Sequence, residues 1–235
     1  MTRSLNPMRL SAVVFCGMTI LISNVAGAAD DDNPMDNWGQ VVDPDGDCTI
    51  KASGSELTIQ IPDTRHDLNR RSGSLNAPRV MQSISGDFRL EVSVSGEFKP
   101  GPRSTAQKST AFNGAGILLW HDERSHMRLE RNSFGGGYCY PPLIEIRNKG
   151  RFLGGNPPVA PDTYFTGDST SFRIERHGDV FTAYIRHGDQ QWQLLKSRSV
   201  GFPDKLMVGV SAINTSNAPM TVKFQNLKLT SIEAE

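Results

Sequence analysis

Phe172 to Trp192 reads FRIERHGDVFTAYIRHGDQQW and contains the tripeptide His-Gly-Asp twice, at residues 177–179 and 187–189. Apolar and polar residues alternate in the runs that flank the two copies. Gly supplies the positive φ that a tight hairpin turn requires, and Asp tolerates it. The stretch therefore predicts three antiparallel strands joined by two hairpin turns. One face of these strands is apolar, formed by Phe172, Ile174, Phe181, Ala183 and Ile185.

The same alternation recurs along the chain. It is present in residues 56–61, 87–94, 126–131, 143–147, 205–213 and 220–229. Residues 115–120 are apolar throughout, as expected of a central strand covered on both faces, and no stretch shows sustained helical periodicity. Ten or so short strands with Gly, Pro and Asn between them predict an all-β fold. We expect a single domain over residues 38–232, a sandwich of two antiparallel sheets.

The first 28 residues have the three parts of a cleavable secretory signal. Two arginines precede an apolar run of 13 residues, Leu10 to Ile22, and small residues end the segment at Ala28. A helix needs about 20 apolar residues to span a bilayer, so the short run favours cleavage over the alternative of a retained anchor. An acidic polar lead, residues 29–37, follows. We expect a secreted or periplasmic protein without membrane attachment after signal cleavage.

The charge balance argues against nucleic acid as a partner. The chain has 25 Lys and Arg and 25 Asp and Glu, and loss of the two signal arginines would leave a net charge of −2. Phosphate binding needs a clustered basic surface, whereas the charges here are interspersed.

Two cysteines, Cys48 and Cys139, follow the signal segment. An even pair in an exported chain predicts a disulfide between them. Spacing alone cannot decide a bridge, so two buried free thiols are the alternative.

Three carboxylates, Asp43, Asp45 and Asp47, surround Gly46. Such a group suits a hard cation, and Ca²⁺ is the candidate cofactor. A metal-free turn rich in Asp and Gly is the alternative.

Several short motifs occur in an order that resembles a known family. They are Trp38-Gly39, Asp43 to Cys48, His66-Asp67-Leu68, Asn76 to Val80, Gly116 to Trp120, Arg128 to Arg131 and the hairpins at 172–192. Together they resemble the bacterial regulation-of-enolase-like family of unknown function, over roughly residues 38–230. That family is similar to concanavalin A-like lectins and glucanases. The resemblance implies a concanavalin A-like jelly roll and little about activity, because this superfamily includes lectins, glycosidases and protein-binding modules.

By analogy with this fold, a ligand site is expected on the open, concave face of one sheet. The candidate residues on that face are Trp120, Arg128, Glu130, Glu145, Arg147 and Tyr184. The loop at 134–142 adds Tyr138 and Tyr140, whose rings could stack on sugar rings. We therefore predict a non-catalytic lectin-like module that binds carbohydrate or another extracellular polymer.

Two other functions remain open. A glucanase carries several carboxylates on one face of one strand, and no strand here does so. The nearest substitute is Glu130 with Glu145, which would make the protein a glycoside hydrolase or lyase. The purely structural alternative is a cross-strand charge ladder on a solvated face, formed by Arg128, Glu130, Glu145 and Arg147. The other function is a protein-interaction domain of the cell envelope.

Overall fold

Every regular element that the structure describes is a β-strand. In this computed structural model the described residues are 35, 37–69, 73–135, 138–139, 142–155 and 167–233. The predicted signal segment, residues 1–28, lies outside them. No helix in the described ranges is both long and apolar enough to cross a membrane.

The described part of the chain forms 17 strands. In chain order they are β1 (Gln40–Val42), β2 (Thr49–Ser53), β3 (Glu56–Ile61), β4 (Leu68–Asn69), β5 (Ser74–Leu75), β6 (Arg79–Ile84), β7 (Phe88–Gly96), β8 (Phe112–Asp122), β9 (Ser125–Phe134), β10 (Tyr138–Cys139), β11 (Leu143–Asn148), β12 (Arg151–Gly154), β13 (Ser169–His177), β14 (Val180–Arg186), β15 (Gln193–Ser199), β16 (Leu206–Asn214) and β17 (Met220–Ser231).

Two large antiparallel sheets form a sandwich, as the sequence predicted. The first, sheet A, has eight strands in the order β1-β6-β16-β8-β9-β11-β12, with β10 added beside β9. The second, sheet B, has seven strands in the order β15-β14-β13-β7-β17-β3-β2. The pair β4–β5 is a separate small ladder in the segment between β3 and β6.

The first His-Gly-Asp copy forms the predicted two-residue hairpin turn, whereas the second lies in a longer connection, residues 187–192, and β15 begins only at Gln193. The first joins β13 to β14 and the second joins β14 to β15. Gly178 has φ +56° and Gly188 has φ +53°, values that favour glycine. The Gly178 N–H also donates to Asp87 Oδ1 at 2.7 Å, which fixes the first turn to the start of β7.

The main core lies between the two sheets. The predicted apolar face of the hairpins is buried there, with Phe172, Ile174 and Ala183 at 0% exposure. Alternation also puts Met127 and Leu129 of β9 into this core. The neighbouring residues of β9 must therefore point to the opposite face of sheet A, which we call the outer face.

A second, smaller hydrophobic cluster lies on this outer face. Leu118, Met81 and Ile213 come from the sheet itself, and Leu68 and Ala77 come from the segment between β3 and β6. That segment is attached to the sheet through His66, whose N–H donates to the Asn214 carbonyl at 2.8 Å and whose carbonyl accepts from Asn214 at 3.0 Å. Part of the outer face is thus covered, which explains why β8 is apolar on both faces.

Candidate functional site

The predicted site residues of sheet A occupy neighbouring positions on its outer face. Arg128 on β9 is paired with Glu145 on β11, and His126 is paired with Arg147. On the other side of β9, Trp120 of β8 is paired with His126. The sequence-predicted set is therefore brought together, apart from Tyr184 and the two loop tyrosines.

Glu130 occupies a space that glycines on β8 leave free. Gly116 is its cross-strand partner. A Cβ at Gly116 would collide with the backbone of Leu129 and Glu130, and a Cβ at Gly114 would lie 3.0 Å from Glu130 Oε2. Gly116 requires glycine because the β9 backbone lies directly against it, whereas a side chain at Gly114 would meet the Phe112 ring at 2.7 Å as well as the Glu130 carboxyl group.

Four charged side chains form one connected group, which we call the arginine–glutamate cluster: Arg128, Glu130, Glu145 and Arg147. The Arg128 guanidinium donates from Nη1 to Glu130 Oε1 at 3.3 Å and from Nη2 to Glu145 Oε2. Arg147 Nε donates to the other oxygen of Glu145. Glu145 is therefore held between two arginines, whereas Glu130 contacts only one of them.

The alternative of a cross-strand charge ladder is confirmed in its pairing, because Arg128 bonds to Glu145 across the strands, but Arg128 and Glu130 are buried and not solvated. Glu130 is 0% exposed and Arg128 is 7% exposed. Oε2 of Glu130 is buried without a hydrogen bond to any described residue. The cover comes from the segment that follows β3, which places Asp67, itself only 8% exposed, near Arg128.

The surroundings of the two carboxyl groups give them very different pKa values. Loss of solvent raises the pKa of Glu130 to about 7, because Arg128 compensates only part of that loss and Glu145 and Asp67 add repulsion. Burial acts in the same direction on Glu145, but Arg128 and Arg147 outweigh it and lower the pKa of Glu145 to about 2. Glu145 has two arginine partners and stays ionised, whereas Glu130 has one and keeps its proton below about pH 7.

Trp120 packs beside the cluster, next to His126. Its ring stacks on the His126 imidazole, with centroids 5.4 Å apart and an interplanar angle of 14°. The Arg79 guanidinium lies 5.0 Å from the centre of the indole ring. Burial, reinforced by Arg128, lowers the pKa of His126 to about 4, so this imidazole is neutral at neutral pH.

A pocket of about 270 Å³ opens beside the cluster. Its lining combines the Arg128, Glu145 and Arg147 side chains with two aromatic rings, Phe112 and Phe134. The ring centroids are 4.9 Å apart at an angle of 60°. Polar residues complete the lining: Asp67, Asn69, Ser109, Thr110 and Thr215. A small pocket with an aromatic wall and rigidly held polar groups is typical of a site for a polar small molecule.

Phe134 belongs to the loop at 134–142 that the sequence indicated. The other lining residues outside the sequence candidates are Asp67, Asn69, Ser109, Thr110, Phe112, Leu143 and Thr215. The two phenylalanines form a cross-strand pair at the end of the β8–β9 hairpin. The turn at residues 122–125 sets the register of this hairpin, so the pairing of Phe112 with Phe134 could have been predicted from the sequence. Asp67 and Asn69 reach the site through packing of the segment after β3, and no local pattern indicates this.

Tyr184 belongs to the other sheet, so its assignment to the same face as Trp120 is wrong. It lies on β14 of sheet B and is paired across strands with Arg173, whose guanidinium is 5.9 Å from its ring centre. Alternation predicted that Tyr184 points away from the core, and its neighbours in sequence are buried. It did not predict which sheet carries the residue. The side chains of Tyr138 and Tyr140 lie outside the described residues.

Cys48 is a free thiol, so the predicted disulfide with Cys139 is not formed in this structure. Cys48 lies beside His66. Three strands, β16, β8 and β9, lie between His66 and Cys139. Four strand spacings correspond to about 19 Å, whereas a disulfide needs Cα atoms within about 7 Å. Burial and the Asp43 and Asp47 carboxylates also raise the pKa of the Cys48 thiol, which keeps it protonated at neutral pH.

The three predicted metal ligands occupy the turn between β1 and β2 in different roles. Asp43 Oδ2 accepts the Cys48 N–H at 3.0 Å and closes the turn. Asp47 Oδ1 lies 2.8 Å from His66 Nε2, and Asp45 Oδ2 lies 3.9 Å from the same nitrogen. Asp45 and Asp47 thus face an imidazole, whereas Asp43 faces the backbone.

No protein-family model and no curated protein matches this sequence. The structure is nevertheless similar to solved structures. One is a functionally unknown protein from Saccharomyces cerevisiae, with a TM-score of 0.65 and 13% identity over 84% of this chain and 98% of that chain. The resemblance to the regulation-of-enolase-like family is therefore not confirmed.

Two further similarities are to proteins associated with carbohydrates. The exoplasmic/lumenal domain of VIP36, in a form bound to Ca²⁺ and Man3GlcNAc, has a TM-score of 0.54 and 13% identity over 86% of each chain. The GH43 protein BlXynB from Bacillus licheniformis has a TM-score of 0.53 and 11% identity, and the match covers 87% of this chain and 40% of that one. At these identities the similarities establish a lectin-like β-sandwich fold and no activity.

Proposed function

We propose that the protein is an exported lectin-like module that binds a carbohydrate in the pocket beside the arginine–glutamate cluster, without cleaving it. The observation that carries the proposal is the composition of that pocket. Phe112 and Phe134 offer apolar ring faces to the C–H face of a sugar. Glu145 and Arg147 offer charged acceptors and donors to its hydroxyl groups.

The pocket charges favour an uncharged glycan. Two acidic residues, Asp67 and Glu145, and two arginines, Arg128 and Arg147, line the pocket. The opposite signs balance, so the pocket holds no excess charge to attract a strongly ionic ligand. The volume of about 270 Å³ lies just below the usual range of about 300–1,000 Å³ for ligand pockets, which suits one sugar ring or the end of a chain.

The cluster geometry favours binding over catalysis. Arg128 bonds to both Glu130 and Glu145 and so fills the region between them, where a glycosidic bond would have to lie. Glu130 is 0% exposed and could reach a substrate only after the cover moved. A carboxyl group acts as a general acid only within hydrogen-bond reach of the leaving group.

One observation keeps a glycoside hydrolase or lyase as the second candidate. Bridging by one guanidinium keeps the two carboxyl groups closer together than the roughly 9.5 Å upper limit of glycosidase pairs. Their pKa values, about 7 for Glu130 and about 2 for Glu145, also differ as those of an acid and a nucleophile do. Cleavage of the bound glycan by the wild type, with no cleavage by Glu130→Gln, would select this candidate.

Truncation of the aromatic wall is expected to weaken glycan binding. A glycan array on the purified protein first identifies a ligand, and calorimetry then compares variants. We expect Phe134→Ala to lower the affinity about fivefold or more, because loss of a central aromatic contact costs more than about 1 kcal/mol. The control is Trp192→Ala, which removes an aromatic ring near Arg173 of sheet B. Equal affinities for the two variants, or a stable protein partner in place of any glycan, would contradict the proposal.

A further inference from the structure

Residues from two distant parts of the sequence meet at the edge of the sandwich, away from the lining of the glycan pocket. Asp45, Asp47 and Cys48 come from the turn between β1 and β2, and His66 comes from the segment after β3. His66 is 0% exposed, and its backbone pairs with Asn214 of β16. The imidazole is therefore fixed, whereas the Asp45 and Asp47 side chains are about half exposed, at 45% and 41%, and can adjust.

The distances suit a shared metal ion. The ligand atoms of Asp47, Cys48 and His66 all lie within 4.8 Å of one another. His66 Nε2 is 2.8 Å from Asp47 Oδ1, and Cys48 Sγ is 3.7 Å from the same oxygen. Tetrahedral zinc with bonds of about 2.0–2.3 Å holds its ligand atoms roughly 3.3–3.8 Å apart. A shift of less than about 1 Å by the exposed Asp47 carboxylate would open the required space.

The hydrogen bonds of His66 point to a cation at Nε2. Both ring nitrogens face acceptors, since Nδ1 lies 3.4 Å from the Thr64 carbonyl oxygen and Nε2 lies 2.8 Å from Asp47 Oδ1. A neutral imidazole carries one hydrogen, so one of its two nitrogens directs a lone pair at an acceptor. Asp45 Oδ2 lies 3.9 Å from Nε2 and also accepts from Asn76 at 2.5 Å. Two facing acceptors require a proton or a metal ion between them. A ring nitrogen that donates to a backbone carbonyl while the other faces a metal is the usual arrangement of a ligating histidine.

We propose that Asp47, Cys48 and His66 form a binding site for Zn²⁺ or a similar transition metal, with Asp45 as the nearest carboxylate for a fourth position. Imidazole and thiolate ligands favour these metals, whereas Ca²⁺ prefers an all-oxygen shell. Cys48 would bind as the thiolate, so the metal displaces the proton that the thiol carries in the metal-free protein, and that proton is released to solvent. The bound ion would connect the β1–β2 turn to the segment that carries Asp67 and Asn69. The metal would thus hold one wall of the glycan pocket in place, although the site does not depend on glycan binding.

Cobalt titration of the chelator-treated full-length protein tests this site, because a thiolate–cobalt bond gives a charge-transfer absorption that carboxylate and imidazole ligands do not. We expect one Co²⁺ per chain, the charge-transfer band, and displacement by Zn²⁺ but not by an equal concentration of Ca²⁺. Cys48→Ser is expected to abolish the band, and Cys139→Ser to retain it. Asp47→Asn should lower Co²⁺ affinity at least tenfold.

His121→Asn is the matched control, since His121 lies 3.6 Å from Asp122 at an exposed position without a thiol. It should leave Co²⁺ binding unchanged. Circular dichroism verifies that each variant is folded, and His66 itself is left intact because it is buried. A band that persists in Cys48→Ser, equal loss of binding in His121→Asn and Asp47→Asn, or equal displacement by Ca²⁺ and Zn²⁺ would overturn the proposal.

Discussion

Replacement of Arg128 by methionine is expected to lower the free energy of unfolding by about 3–5 kcal/mol, the usual cost of removing one partner from a buried ion pair. Methionine retains much of the apolar stem, so the loss reflects the missing charge and hydrogen bonds. Arg128 contacts Glu130 and Glu145 and lies near Asp67. Without it, Arg147 is the only arginine left in the cluster, and Glu130 has no cationic partner there. Urea denaturation followed by tryptophan fluorescence measures the effect.

Lys223→Met is the control for this experiment. Lys223 donates to Glu56 at 2.9 Å, but the lysine side chain is 50% exposed and solvent screens the pair. We expect no measurable shift of its denaturation midpoint. Equal midpoints for Arg128→Met and the wild type would mean that the cluster is solvated in solution, and the description of the site as buried would be wrong.

Glu130→Gln is expected to become more stable relative to the wild type as the pH rises from 5 to 8. The pKa of Glu130 is about 7 in the folded protein, against an ordinary value of 4.5. Between these values the folded protein keeps a proton that the unfolded chain has lost, so the wild type loses stability as the pH rises. Glutamine does not titrate. The difference between the two proteins should therefore grow by about 2–3 kcal/mol across this range.

Glu145 provides a contrast of opposite sign in a lower pH range. Its folded pKa of about 2 lies below the ordinary 4.5, so its contribution to stability is present above pH 4.5 and is lost as the pH falls towards 2. Glu145→Gln should therefore be less stable than the wild type above about pH 4.5, and the difference should shrink as the pH falls towards 2. Thermal denaturation over pH 2–8 measures both variants. A constant difference between Glu130→Gln and the wild type would show that Glu130 is not a buried, protonated carboxyl.

Most of the fold could be predicted because strand alternation and turn chemistry are local. The two His-Gly-Asp turns and the apolar run at residues 115–120 led directly to β13–β15 and to the central strand β8. Alternation also predicted that Arg128 and Glu130 share a face of β9. Strands β1, β2, β6 and β12 were not predicted. β1 and β12 have too few residues to show a period of two, and β6 does not alternate because Val80 and Met81 are both buried.

The candidate site depended on contacts between distant residues, which local patterns do not encode. Arg128 and Glu130 are buried because Asp67 and Leu68, some 60 residues upstream, cover the outer face. The same segment supplies His66 to the cysteine-containing turn, so Cys48 meets an imidazole in place of Cys139. Tyr184 is a similar case, because alternation predicted that its side chain points away from the core but could not predict which sheet its strand joins.

The central claim, that a glycan binds beside the arginine–glutamate cluster, is tested most directly by the affinity of Glu145→Gln and Glu91→Gln for the glycan that the wild type binds. Each variant removes one carboxylate that forms an ion pair with an arginine on the face of a sheet that points away from the core. Glu145 lies in sheet A at 15% side-chain exposure, and Glu91 lies in sheet B at 21%, paired with Arg173 at 2.7 Å. We predict at least tenfold weaker binding by Glu145→Gln and unchanged binding by Glu91→Gln. Equal affinities for the two variants, or a wild type that binds no glycan, would contradict the claim.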